Sequence, residues 1–141
     1  MNEERTNVEW EGKGLDYERY AMNILFRRMV ERHGIKSVLE IPAKGEKAMP
    51  SLYSIPFGQH GCEVSLVNPE EKSKWAWEKL GYPVTYHEFD PVEKTDFDDG
   101  SFDLVWNFMS LSQYDRKDAL VEEMKRVSRK YILFIAVNRF N

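Results

Sequence analysis

From Asp16 to His33, apolar residues recur every four positions at Tyr17, Ala21, Leu25 and Met29, with Tyr20 and Ile24 beside them. That spacing predicts one buried helical face. Asp16 can cap the start, and Gly34 can end the helix in a left-handed turn. Ser37 to Ile41 is a short apolar run broken by one acid, Glu40, and reads as a buried strand. Pro42 to Glu46 must then be a loop, because Pro42 cannot donate to a central ladder. A helix is expected from about Glu46 or Met49 to Phe57, with Pro50 in its first turn and Pro56 kinking or ending it. Val64–Val67 reads as a second strand. Asn68-Pro69-Glu70-Glu71 then opens a helix, with Asn68 as cap and acids at the positive dipole end. That helix carries Trp75, Trp77 and Leu80 and stops at Gly81. Trp75 and Trp77 cannot share a face, so one is expected outside.

Three further strands follow. Pro83–Phe89 places Val84 and Tyr86 on one face, Phe102–Phe108 is largely apolar, and Tyr131–Val137 is apolar on both faces, as in the middle of a parallel sheet. Between the last two, Asp115 opens a helix whose Leu120, Met124 and Val127 form one stripe. Strand–helix alternation through five strands predicts a parallel sheet wrapped by helices on both faces. Residues 1–14 are polar and read as an arm before a single domain over 15–141.

Composition narrows the class. The 141 residues are 42% hydrophobic and 31% charged, a globular balance. A net charge of −4 weighs against bulk attraction to nucleic acid or anionic lipid. The single cysteine, Cys62, excludes an internal disulfide and a multi-cysteine metal cage, and it reads as a small core residue. His33, His60 and His87 lack metal-ligand spacing, so no metal site is expected. No apolar run reaches the roughly 18–20 residues that span a bilayer. The acidic start, Met1-Asn2-Glu3-Glu4, does not read as a secretory signal, and a cytoplasmic setting is expected.

Several stretches, in order, carry a resemblance. They are Val38-Leu39-Glu40-Ile41, Val64 to Asn68, Glu88-Phe89-Asp90, Asp99-Gly100-Ser101-Phe102-Asp103-Leu104-Val105, and Lys125 to Tyr131. Together, across residues 20–138, the sequence resembles the class I S-adenosylmethionine-dependent methyltransferases. The resemblance implies a Rossmann-like doubly wound α/β sheet in the order 3-2-1-4-5. It also implies an enzyme that binds S-adenosylmethionine and moves its methyl group to an acceptor by in-line displacement. The family sheet has seven strands, and the last two have no counterpart here. The chain is then either part of a longer protein or a naturally short domain.

The resemblance implies a set of cofactor contacts: Glu40 for the amino group, Asn68 for the ribose and Asp90 for the adenine amine. Pro42, Lys44 and Gly45 would form the loop after the first strand, and Trp106 and Asn107 would line the methyl-transfer side. No catalytic residue is implied. Pro42, Lys44 and Glu46 stand where the family carries glycines, and Asn68 stands where it carries an acid. Glycine at such positions lets backbone approach a ligand closely. These departures keep a second reading open, a non-catalytic scaffold or partner subunit of the same fold. Each site residue also has a plainer role: Glu40 as a buried acid, Asn68 as a helix cap, Asp90 as a turn residue, Lys44 as a solvated lysine, Trp106 as core. A small-molecule acceptor is favoured over nucleic acid. A second copy or partner chain is expected to cover the fifth strand, which nothing later in the chain covers.

Overall fold

The computed structural model describes residues 16–44 and 52–136. The expected arm over 1–14, Gly45 and Glu46 of the loop, the stretch through Pro50, and Val137 lie outside the described residues.

Helix α1 spans Asp16–His33, as its pattern predicts, and Gly34 follows at φ +61°. Strand β1 (Ser37–Glu40) leads to a short helix α2 (Ile55–Gln59). Then come β2 (Glu63–Val67), α3 (Glu71–Leu80), β3 (Val84–His87), β4 (Phe102–Phe108), α4 (Lys117–Val127) and β5 (Ser128–Ile135). All pairings are parallel and the order is β3-β2-β1-β4-β5, the doubly wound arrangement. The direction of winding reverses between β1 and β4.

The two faces of the sheet build two cores. Val38, Val64, Leu66, Leu104 and Trp106 pack against Met22 and Phe26 of α1, Phe57 of α2 and Trp77 of α3. Leu39, Val67 and Val105 face the other way, onto Leu120, Met124 and Val127 of α4. Every residue of β4 is buried, as a central parallel strand requires.

Four local expectations change. In α1 the buried stripe runs through Met22 and Phe26, while Ala21 is exposed and Leu25 is 44% exposed. Two neighbouring rows of α1 are apolar, and the sheet selects one. Pro56 sits in the first turn of α2 rather than at its end, where its missing N–H costs nothing. The last helix begins at Lys117, with Arg116 rather than Asp115 at its cap. The fifth strand forms an edge of the described sheet, as the order 3-2-1-4-5 has it, and not the middle that its two-sided apolar run suggests. Ile132 to Ile135 are half-buried and Tyr131 is 43% exposed. On α3 the two tryptophans divide as expected: Trp77 is fully buried and Trp75 is 46% exposed.

The carboxyl ends of the strands are tied by polar bonds rather than by apolar contact alone. Glu40, 1% exposed, accepts a 2.6 Å hydrogen bond from Ser54 Oγ, and Ser54 in turn accepts from Trp106 Nε1 at 2.9 Å. This link joins β1, the segment before α2 and β4 inside the first core. Ser54→Ala should destabilise the fold by about 1–3 kcal/mol, because it leaves the buried indole proton without its acceptor. Urea unfolding measures this; a change within about 0.5 kcal/mol would show that the link contributes nothing.

Cys62 is buried, and its Sγ donates to Ile35 O at 3.3 Å. Burial, with Asp103 nearby, pushes its thiol up to about 11, which makes it an inert core residue at neutral pH.

Candidate functional site

Ligands of doubly wound sheets settle outside the carboxyl ends of the strands, near the reversal of strand order. A cavity of about 650 Å³ lies outside the carboxyl ends of β2 and β3, beside the chain leaving β1. Small-molecule sites typically occupy about 300–1,000 Å³. Its walls are Lys44, Asn68, Pro69, Glu70, Glu88 to Val92, and Tyr114.

The chain leaving β1 stays in the plane of the sheet. Ile41 N donates to Trp106 O at 3.0 Å and Ala43 N to Val67 O at 2.7 Å. Pro42 and Ala43 are thereby buried, and Lys44 emerges exposed at the cavity wall. The segment Pro42–Lys44 does not fill the cavity.

Asn68 leaves β2 at φ +53°, a left-handed conformation that asparagine tolerates. Its amide does not cap α3; Glu70 holds the cap position, with no side-chain capping bond. Instead Asn68 Nδ2 donates to Phe89 O, and Phe89 N donates to Asn68 Oδ1, both at 2.8 Å. The side chain imitates a strand, extending the β2–β3 ladder past its end. It fixes the direction in which Phe89 and Asp90 leave β3.

The far wall is also tied in place. Tyr114 donates to the Glu93 carboxylate, and Arg116 Nη1 donates to Glu93 Oε1 at 3.0 Å. The Tyr114 bond, then the backbone bonds and Arg116, hold the Glu93 carboxyl below its usual range against the effect of burial. Burial and Glu93 together push the Tyr114 phenol up to about 12, so it remains a donor at neutral pH. The loop after β3 and the segment after β4 are therefore one wall.

Of the residues implied by the resemblance, the structure brings Lys44, Asn68 and Asp90 to one cavity. Glu40, Pro42, Trp106 and Asn107 are buried and do not line it. Trp106 packs edge-on against Phe26, Phe57 and Phe108. Asn107 is engaged at both atoms: Nδ2 donates to Ile41 O and to Ser110 Oγ, each at 2.8 Å, and Oδ1 accepts from Leu111 N at 3.1 Å. These four support the strand ends from within. Gly45 lies outside the described residues. Among the polar wall residues, Glu70, Glu88 and Tyr114 are not in the set that the resemblance implies. Glu70 was absorbed into a helix start, and Tyr114 gains its meaning only from Glu93, 21 residues away.

The cavity wall thus holds one cation, Lys44, and three carboxylates, Glu70, Glu88 and Asp90. Glu88 lies 3.8 Å from Lys74, whereas the carboxylates of Glu70 and Asp90 have no hydrogen-bond partner among the described residues. Such a wall accepts hydrogen bonds from a ligand rich in hydroxyl and amino groups, with Phe89 offering a half-buried apolar surface between them.

The family model of a methyltransferase domain matches residues 49–135. Among solved structures, a protein of Pyrococcus horikoshii OT3 superposes with a TM-score of 0.68 at 17% identity, over 93% of this chain and 58% of that one. The YcgJ protein of Bacillus subtilis superposes with a TM-score of 0.66 at 18% identity, over 83% of this chain and 50% of that one. A SAM-dependent methyltransferase of Aquifex aeolicus gives a TM-score of 0.59 at 18% identity, over 87% of this chain and 76% of that one. The chain thus spans between half and three-fifths of the first two. A search of curated proteins finds no match. At these identities the superpositions establish the fold.

Proposed function

The chain belongs to the methyltransferase-domain family, and on that premise we propose that its cavity is an S-adenosylmethionine site serving methyl transfer to a small-molecule acceptor. The family implies S-adenosylmethionine as the methyl donor. The observation that supports its placement is the cavity of about 650 Å³ at the carboxyl ends of β2 and β3, with the carboxylates of Glu70 and Asp90 on its wall.

The residues fit the nucleoside half of that cofactor. Asp90 can accept from the exocyclic amine of adenine, and Phe89 offers apolar contact to the base. Lys44 can pair with a ligand carboxylate. When bound, the cofactor supplies a sulfonium-activated methyl group for in-line displacement. The chain's own contribution is positioning. Asn68 fixes the exit of β3, the Tyr114–Glu93 bond fixes the opposite wall, and Asn107 ties the end of β4 to the chain leaving β1.

A cytoplasmic setting accords with this reading, and among the described residues no helix is long and apolar enough to cross a membrane. A second copy or another chain over the half-exposed residues of β5 belongs to the same proposal; light scattering after size exclusion tests it.

Titration calorimetry with S-adenosylmethionine and S-adenosylhomocysteine tests the cofactor site. We expect binding in the micromolar range, weakened about tenfold or more by Asp90→Asn, which removes one charged acceptor. A folded chain that gives no heat with either ligand would overturn the enzyme reading. It would favour the scaffold alternative, for which the burial of Glu40 under Ser54 is the supporting observation.

A further inference from the structure

Asn68 occupies the end of β2 but has little left to offer a ligand. Its oxygen and its nitrogen each hold a 2.8 Å bond to the backbone of Phe89. Its own N–H is bound to His87 O at 2.7 Å. One lone pair and one amide hydrogen remain, and turning the side chain to use them better would release the exit of β3.

Glu70, two residues on, is free of such duties. It is exposed, lines the same cavity, and makes no capping bond to α3. Its backbone is nonetheless fixed, because its carbonyl accepts from Ser73 N at 3.0 Å and Lys74 N at 3.2 Å. A carboxylate thus stands on a rigid helix start, beside the cavity, with both oxygens available. The other two wall acids are placed differently. Glu88 leans toward Lys74, and Asp90 lies across the cavity on the β3 side.

We propose that Glu70, and not Asn68, is the ribose-binding residue of this chain, its two carboxylate oxygens accepting from the vicinal 2′- and 3′-hydroxyls. This rests on the S-adenosylmethionine reading of the cavity. A cis-diol presents two parallel O–H donors, which a carboxylate receives in bidentate fashion and an already committed amide does not. Asn68 is then a positioning residue that holds β3.

The test is titration calorimetry with S-adenosylhomocysteine and its 2′-deoxy counterpart, on the full chain and on Glu70→Gln, Glu70→Asp and Asn68→Asp. The wild type should bind the deoxy compound about 10- to 100-fold more weakly, the range for one charged hydrogen bond. Glu70→Gln should bind the parent compound correspondingly more weakly and lose most of the discrimination between the two. Glu70→Asp should keep discrimination at reduced affinity. Asn68→Asp should lower the melting temperature, since a carboxylate cannot donate to Phe89 O, without removing discrimination. A Glu70→Gln protein that binds and discriminates like the wild type overturns the assignment while leaving the cofactor site intact. Absence of binding by the wild type to either compound overturns both together.

Discussion

Trp106→Ala should cost about 3–5 kcal/mol of folding stability, the range for removing a fully buried large aromatic. Trp106 is 0% exposed and lies at the centre of the first core. Its ring centroid lies 5.1 Å from Phe26 and 6.1 Å from both Phe57 and Phe108. The substitution opens a cavity between α1, α2 and β4 and also removes the donor to Ser54 Oγ. Trp106→Phe keeps much of the ring contact but not the donor, and should cost less, about 1–2 kcal/mol. Chemical unfolding of the three proteins provides the comparison. A loss below about 1 kcal/mol for the alanine variant would mean that α1 and α2 are not held to the sheet through this residue.

The second large effect should come from the opposite end of the sheet and should depend on pH. Asp103, 1% exposed, accepts from Lys36 N at 2.8 Å and from Arg129 Nε at 2.9 Å, tying the entries of β1, β4 and β5 together. Burial alone would raise its carboxyl. The Arg129 bonds and charge, with the Lys36 amide, outweigh burial and hold it below its ordinary 3.8. A depressed carboxyl binds protons more weakly folded than unfolded. Its contribution is therefore complete above the unfolded value and lost as pH falls through the lower folded value. Asp103→Asn should cost about 1.5–3 kcal/mol near neutral pH, the worth of hydrogen bonds to a charged group. The cost should shrink steadily once pH drops below about 4. Glu93 is depressed as well and adds acid sensitivity to both proteins, so the informative quantity is the difference between them at each pH. An equal deficit at neutral and strongly acidic pH would exclude the carboxylate as the source.

The candidate site was legible in outline. Lys44, Asn68 and Asp90, which the resemblance implies, line one cavity because parallel winding brings the strand ends to one side. What each side chain does there was less legible. Glu40 and Asn68 stand at the expected strand ends, yet one is sealed under Ser54 and the other is bonded to Phe89. Both partners lie more than a dozen residues away, and no local pattern marks them. Glu70 was hidden for the opposite reason: its neighbours, Asn68, Pro69 and Glu71, already explain an acid there as a helix start.

By itself the sequence determined the alternation of strands and helices, and with it a parallel doubly wound sheet. Periodicity is a local property, and a buried parallel strand such as Phe102–Phe108 must be apolar throughout. It also determined where α1 begins and ends, since Gly34 provides the left-handed turn. Only the tertiary structure decided which of two apolar rows of α1 faces inward and which polar side chains at the strand ends are bonded to other parts of the chain. Those outcomes depend on partners distant in sequence. Burial rewards whichever row meets the sheet, and a hydrogen bond rewards whichever group arrives within reach.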